Sequence, residues 1–213
     1  MCSTIQVVCY GELVKIIMKA DLLLNQVSKC VICEPELPLG ARPVVQFNPL
    51  ARILIAGQAP GIKVHQSGVP FDDASGQRLR QWLGLSEAVF YDASKIAILP
   101  MGFCYPGKGK SGDLPPRKEC APAWREQLLR ALPNIKLTIV LGKHAQTYHL
   151  PETKYLPLTE LVKSWRDYWP STLPLPHPSP RNNIWLSKNP WFEQDVLPHL
   201  AQRVATILEC QGD

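Results

Sequence analysis

Short runs of aliphatic residues, separated by longer amphipathic stretches, are the sequence feature that most constrains the fold. Each run is too short for a helix and apolar almost throughout, as strands buried on both faces are. The stretches between the runs repeat apolar residues at helical spacing. The predicted strands are 53–56, 95–99, 137–141 and, more weakly, 173–175, and the predicted helices are 10–28, 76–84, 119–132, 143–149, 157–169 and 191–208.

This alternation predicts an α/β protein, a three-layer α/β/α sandwich with a central, mainly parallel four-stranded sheet. No linker separates two apolar regions, so residues 1–213 are expected to form a single domain. Folds of this class bind ligands beyond the carboxyl ends of their strands. Three loops rich in Gly and Pro, 57–61, 100–104 and 176–180, follow predicted strands and should meet at one edge of the sheet.

Composition narrows the class of protein without deciding its activity. The 46% of hydrophobic residues excludes a wholly disordered chain. No uncharged apolar run reaches the roughly 20 residues that a membrane helix needs, and charged residues interrupt the apolar N-terminal stretch. We therefore expect a soluble, cytoplasmic protein that does not bind a membrane. We also expect a monomer, although nothing in the composition decides the oligomeric state. The net charge of +5 permits binding to a polyanion but does not demonstrate it.

Four of the seven cysteines are spaced as Cys30-x2-Cys33 and Cys104-x15-Cys120. A C-x2-C pair places two thiolates on one tight turn, where both can reach a single metal centre. The second pair would complete a four-thiolate site for either tetrahedral zinc or an iron–sulfur cluster. The alternative is four separate buried thiols.

Three motifs, in this order along the chain, resemble those of the uracil-DNA glycosylase superfamily. They are Gly57-Gln-Ala-Pro-Gly61, Gly68-Val-Pro-Phe71 and His177-Pro-Ser-Pro180. The cysteine spacing is similar to that of its iron–sulfur-containing family 4, in which a Pro-rich loop leads to the last cysteine; here that loop is 115–120. The resemblance spans about 30–183. It implies that Cys30, Cys33, Cys104 and Cys120 hold a structural [4Fe-4S] cluster, with zinc as the rival.

The resemblance also implies a base pocket. His177 would donate a hydrogen bond to the negative charge that develops on the departing base, or would only cap the strand end by hydrogen bonding. Phe71 would stack on the flipped base, or would only fill the core. The loop containing Gly57, Gln58 and Ala59 would offer backbone amides to a carbonyl of the base.

The same resemblance predicts contacts with DNA in the loop after the last strand. Ser179 would bond a phosphate beside the damaged base, or would only cap the helix that follows. Arg181 and Asn182 belong to the segment that enters the minor groove in the family. The implied partner is DNA that contains a damaged or deaminated base.

Three positions depart from the family pattern. Ala59 stands where family 1 enzymes have an Asp that activates water, so the source of the nucleophile is open. Pro100 stands where family 4 has an Asn that reads the edge of uracil, and proline has no polar side chain. His65 replaces an acidic residue of the family 4 loop. With Asp73 it would form a different water-activating group, or the two would only be exposed loop charges.

These residues favour a glycosylase that hydrolyses the N-glycosidic bond of a flipped deaminated base, uracil or a related one. Two other classes of function stay open. One is a non-catalytic nucleic-acid-binding member of the same fold, which the missing polar contact at Pro100 would favour. The other is a small-molecule hydrolase whose cysteines hold zinc.

Overall fold

The structure is a computed structural model that describes residues 17–110 and 112–209. The strands are β1 (Ile53–Ala56), β2 (Ile96–Ile98), β3 (Lys108–Gly109), β4 (Gly112–Asp113), β5 (Leu137–Leu141) and β6 (Thr172–Leu175). The α-helices are α1 (17–28 within the described residues), α2 (Ile62–Ser67), α3 (Ala74–Leu83), α4 (Glu87–Phe90), α5 (Cys120–Arg130), α6 (Gly142–His149), α7 (Leu158–Lys163), α8 (Asn183–Lys188) and α9 (Leu197–Glu209). Short 3-10 helices cover Glu34–Glu36, Pro151–Thr153, Trp165–Asp167 and Pro180–Asn182, and a π-helical turn, Phe192–Val196, leads into α9.

Four strands form one parallel sheet in the order β2-β1-β5-β6. In the centre of the sheet Ile53 of β1 pairs with Ile96 on one side and with Leu137 on the other. Strands β3 and β4 form a separate antiparallel hairpin. The predicted four-stranded parallel sheet is therefore confirmed. It includes the strand with the weakest sequence signal, β6, which begins at Thr172.

Successive residues of each strand face opposite layers of helices. Ile53 and Ile55 pack with side chains of α3, α7 and α9, whereas Leu54 packs with side chains of α1 and α5. Because side chains alternate across a strand, both faces of the sheet are covered and both are apolar. This arrangement confirms the predicted three-layer α/β/α sandwich.

Several predicted helices differ in extent from the observed ones. The predicted helix 157–169 is wrong as one element, because α7 ends at Lys163 and a 3-10 helix follows it. Of the predicted helix 10–28, residues 10–16 lie outside the described residues, and 17–28 are helical. Helices α2, α4 and α8 and the β3–β4 hairpin were not predicted. None of the helices in the described part of the chain combines the length and the apolar character of a membrane span.

The topology opens a crevice where β1 and β5 end. The chain leaves β1 towards α3 on one face of the sheet, as the packing of Leu79 shows. It leaves β5 towards α6 on the other face, where Ala145 packs with Ala56 and Val140. Neighbouring parallel strands whose connections diverge in this way leave a binding crevice between the loops that follow them.

Candidate active site

A cavity of about 570 Å³ lies at the carboxyl ends of the parallel strands. Its walls come from the loops after β1, β2 and β6, from the start of α3, and from the β3–β4 hairpin. The structure thus brings together most of the site residues predicted from the sequence. Those lining the cavity are Gly57, Gln58, Ala59, Phe71, Asp73, Pro100, His177, Ser179, Arg181 and Asn182.

Two N–H groups of the loop after β1 point away from the neighbouring loop, which follows β2. The carbonyl oxygens of Gly57 and Gln58 accept hydrogen bonds from the amides of Met101 and Gly102 at 2.9 and 3.0 Å. In a trans peptide the carbonyl and the following N–H point in opposite directions. The N–H groups of Gln58 and Ala59 therefore point away from the loop after β2, on residues that line the cavity.

Phe71 is held against this loop by an unusual backbone conformation. Its φ is +56°, in the left-handed region. The ring atom Cζ lies 3.6 Å from the position that a Cβ on Gly57 would occupy, and the ring meets Phe90 edge-on at 6.2 Å between centroids. A Cβ on Gly76 would overlap the carbonyl of Phe71, so the first turn of α3 can pack against residue 71 in this way only with glycine at position 76. Phe71 both lines the cavity and packs against the core.

The ring of His177 is a neutral hydrogen-bond donor. Burial lowers its pKa, and Arg181 lowers it further, although Asp73 and Asp113 act in the opposite direction. The amide of Ser179 donates a hydrogen bond to Nδ1 at 3.2 Å, so Nδ1 carries no proton. A neutral imidazole with an unprotonated Nδ1 carries its proton on Nε2. His177 can therefore donate a hydrogen bond from Nε2.

The loop that carries His177 is braced from two sides. The Arg78 guanidinium of α3 donates hydrogen bonds to the carbonyl of Ser179 at 3.1 Å and to Oδ1 of Asn183 at 2.8 Å. Asn182 Nδ2 donates to the carbonyl of His177 at 2.7 Å. This role of Arg78 could not be predicted from the sequence, because nothing local to α3 indicates which loop its side chain reaches.

Ser179 caps the 3-10 helix that follows it. Its Oγ accepts a hydrogen bond from the amide of Arg181 at 3.3 Å. The capping alternative for Ser179 is therefore observed.

Pro100 lies on the cavity wall and is fixed through its backbone. Arg125, which is fully buried, donates from Nη1 to the carbonyls of Leu99 and Pro100 at 2.9 and 3.0 Å. The Nη2 atom of Arg125 lies 2.6 Å from Nε2 of His149. Burial, reinforced by Arg125, lowers the pKa of His149 to about 3, so the ring is neutral and accepts this hydrogen bond. Position 100 adds only apolar surface to the cavity.

The family model of the Uracil DNA glycosylase superfamily matches residues 44–201. The chain belongs to this superfamily. The match includes every strand of the parallel sheet and all three motif loops that line the cavity. Members of the superfamily typically act on DNA as glycosylases.

His65 is not among the residues that line the cavity. It is 8% exposed, its ring lies 6.1 Å from that of Tyr105, and burial lowers its pKa. Helix α2 presents Ile62, Lys63 and Val64 to the cavity instead. The structure therefore does not bring His65 together with Asp73 as a water-activating group. The missing information was the existence of α2, whose helical phase decides where residue 65 faces.

The four predicted cysteine ligands line a second, much smaller cavity. Burial raises the pKa of Cys104 to about 11 and that of Cys120 to about 12. Trp124 Nε1 donates to Cys30 Sγ at 3.2 Å, and the amide of Phe103 donates to Cys120 Sγ at 3.4 Å. As placed, no group of three or more His, Cys, Asp or Glu side chains within 17–110 and 112–209 could hold a metal ion.

Proposed function

We propose that this protein is a DNA glycosylase of an atypical, family 4-like subgroup, hydrolysing the N-glycosidic bond of a flipped deaminated base, uracil or a related one. The observation that carries this proposal is the state of His177. It is neutral, its loop leaves the proton on Nε2, and it lines a cavity shared with the two other motif loops.

The reaction leaves negative charge on the base and positive character on the sugar. A hydrogen bond from His177 Nε2 stabilises the departing base, because a fixed donor aimed at a developing anion lowers its energy. The amides of Gln58 and Ala59 are available to a second carbonyl of the base. Phe71 offers a ring face on which a flipped base stacks.

Binding to DNA needs positive charge near the mouth of the cavity. Lys63 and Arg181 line the cavity, and Lys108 lies on the neighbouring β3. Contacts from Lys and Arg to phosphates release counterions, so affinity for DNA should fall steeply as the salt concentration rises.

We also propose that Cys30, Cys33, Cys104 and Cys120 hold one [4Fe-4S] cluster with a structural role. The chemistry of the donor set supports this proposal, because four thiolates bind such clusters and N–H groups donate to the sulfurs of Cys30 and Cys120. The four thiols would have to move closer together than the structure places them. A bound cluster would supply the positive charge that lets these buried thiols deprotonate. Protein purified without oxygen should be brown and contain about four iron and four acid-labile sulfide per chain. Colourless protein with one zinc would contradict the proposal.

An oligonucleotide panel tests the proposed activity. Duplex and single-stranded oligonucleotides containing uracil or hypoxanthine are incubated with the protein, and abasic sites are revealed by alkaline cleavage. We expect excision of at least one base. Salt-dependent DNA binding without excision would instead indicate a non-catalytic binding protein, and the absence of DNA binding would point to a small-molecule hydrolase.

A further inference from the structure

The β3–β4 hairpin forms one side of the cavity mouth. Gly112 and Asp113 line the cavity, and the side chain of Gln58 donates a hydrogen bond from Nε2 to the carbonyl of Leu114 at 3.4 Å. At Gly112 a Cβ would overlap the Arg181 guanidinium. The hairpin is therefore packed between the loop after β1 and the loop after β6, which are the two loops that hold the amides and the imidazole.

Asp113 places a carboxylate beside the loop after β1, residues 57–61, which has no acidic residue of its own. Its Oδ2 atom lies 3.5 Å from the position of a Cβ on Gly61, at the end of the loop after β1. Within that loop Ala59 offers only a methyl group, and the Gln58 side chain is tied to Leu114. Asp113 also acts electrostatically on the ring of His177. The carboxylate thus shares the cavity with the proposed donor to the base.

The cavity holds a second carboxylate, on Asp73, but that one has a structural task. Asp73 Oδ1 accepts a hydrogen bond from the amide of Gly76 at 2.9 Å and so caps α3. Asp113, by contrast, forms no hydrogen bond or salt bridge through its carboxylate with any residue in the described ranges. An acidic group that the fold leaves without such a partner is available to substrate and water.

We infer that Asp113 is the general base that takes a proton from the attacking water. The inference rests on the proposed glycosylase function. The oxygen of the water forms a bond to C1′ of the sugar as the bond between C1′ and the base nitrogen breaks. The electron pair of the broken bond leaves with the base. One proton of the water passes to the Asp113 carboxylate, and the base anion, held by His177, later takes a proton from solvent. A second hydrolytic group is thereby assigned to the hairpin.

The test compares Asp113→Asn with Asp72→Asn. Both variants remove one negative charge from an exposed side chain near the same face, but Asp72 does not line the cavity. Single-turnover excision is measured on the base that the parent removes, and DNA affinity is measured by fluorescence anisotropy. We expect Asp113→Asn to slow excision about 10²- to 10⁴-fold, the usual contribution of a general base. Asp72→Asn should excise like the parent, and both variants should bind DNA at least as tightly as the parent.

Chemical rescue separates a proton-transfer role from a structural one. Formate added to Asp113→Ala should restore part of the excision rate, because it supplies a small carboxylate to the vacated position, and it should not stimulate His177→Ala. The inference is overturned if Asp113→Asn excises at a rate within about threefold of the parent rate. It is also overturned if Asp73→Asn loses activity and Asp113→Asn does not. Either result leaves the glycosylase proposal intact. A parent that excises no base overturns both.

Discussion

Nδ1 of His177 accepts a hydrogen bond from the amide of Ser179, two residues further along the chain, at 3.2 Å. Protonation of Nδ1 would place two N–H groups against each other and would charge a buried ring. The short turn between these two residues therefore fixes the tautomer as well as the position of the imidazole. The donor that the proposed reaction needs is prepared before any substrate binds.

Replacing His177 by Ala should lower the rate of base excision by roughly 10² or more, the cost of losing one donor to a developing anion. Folding should change little, because the loop is braced mainly through backbone groups by Arg78 and Asn182. His199→Ala is the matched control, since His199 lies on α9 and does not line the cavity. Equal excision rates in parent and His177→Ala would show that the active site is assigned wrongly.

Pro100→Asn should change which base is excised. Position 100 lies on the cavity wall, so the variant adds an amide that can pair with the edge of a base. Sites with such a polar contact discriminate more strongly than sites that rely on shape. We expect the parent to excise uracil weakly or to accept hypoxanthine as well, and the variant to shift towards uracil. Strong uracil-only excision by the parent, unchanged or reduced in Pro100→Asn, would show that another group reads the base.

The sheet could be predicted from the sequence because each strand is buried on both faces and therefore reads as an unbroken apolar run. The hairpin could not, since Lys108–Gly109 and Gly112–Asp113 are two-residue strands with no periodicity. Asp113 was missed for that reason. Position 65 was misjudged because α2 begins after Gly61 without a side-chain cap, and no signal marked a helix there.

His149→Gln should make the protein less sensitive to acid. In the folded protein the pKa of His149 is lowered to about 3, below its usual 6.5, so below pH 6.5 the unfolded chain binds a proton that the folded chain does not. The contribution of neutral His149 to the free energy of unfolding is fully present above pH 6.5. It is lost as the pH falls from 6.5 towards 3, by about 1.4 kcal/mol for each pH unit. Glutamine does not titrate and still offers an acceptor to Arg125. Urea unfolding at pH 7, 5.5 and 4.5 should show a smaller loss in the variant, and parallel losses would contradict this.

Gly76→Ala should destabilise the protein far more than Gly57→Ala. A methyl group on residue 76 overlaps the carbonyl of Phe71, so α3 or residue 71 must move, at a cost of about 1–3 kcal/mol or more. On residue 57 the methyl group meets Phe71 Cζ at 3.6 Å, an ordinary contact. Thermal unfolding of the two variants measures the difference. Similar melting temperatures would mean that the start of α3 is looser than the structure indicates.

At position 71 the residue that would give the most stable fold differs from the residue that the proposed activity needs. A left-handed φ of +56° costs a side-chain-bearing residue about 1–3 kcal/mol, and glycine adopts it freely. Glycine at this position would relieve the backbone but remove the ring that lies over Gly57. Laboratory evolution for heat resistance alone would thus be drawn towards glycine at residue 71, whereas selection for turnover would retain Phe71 and accept a less stable fold.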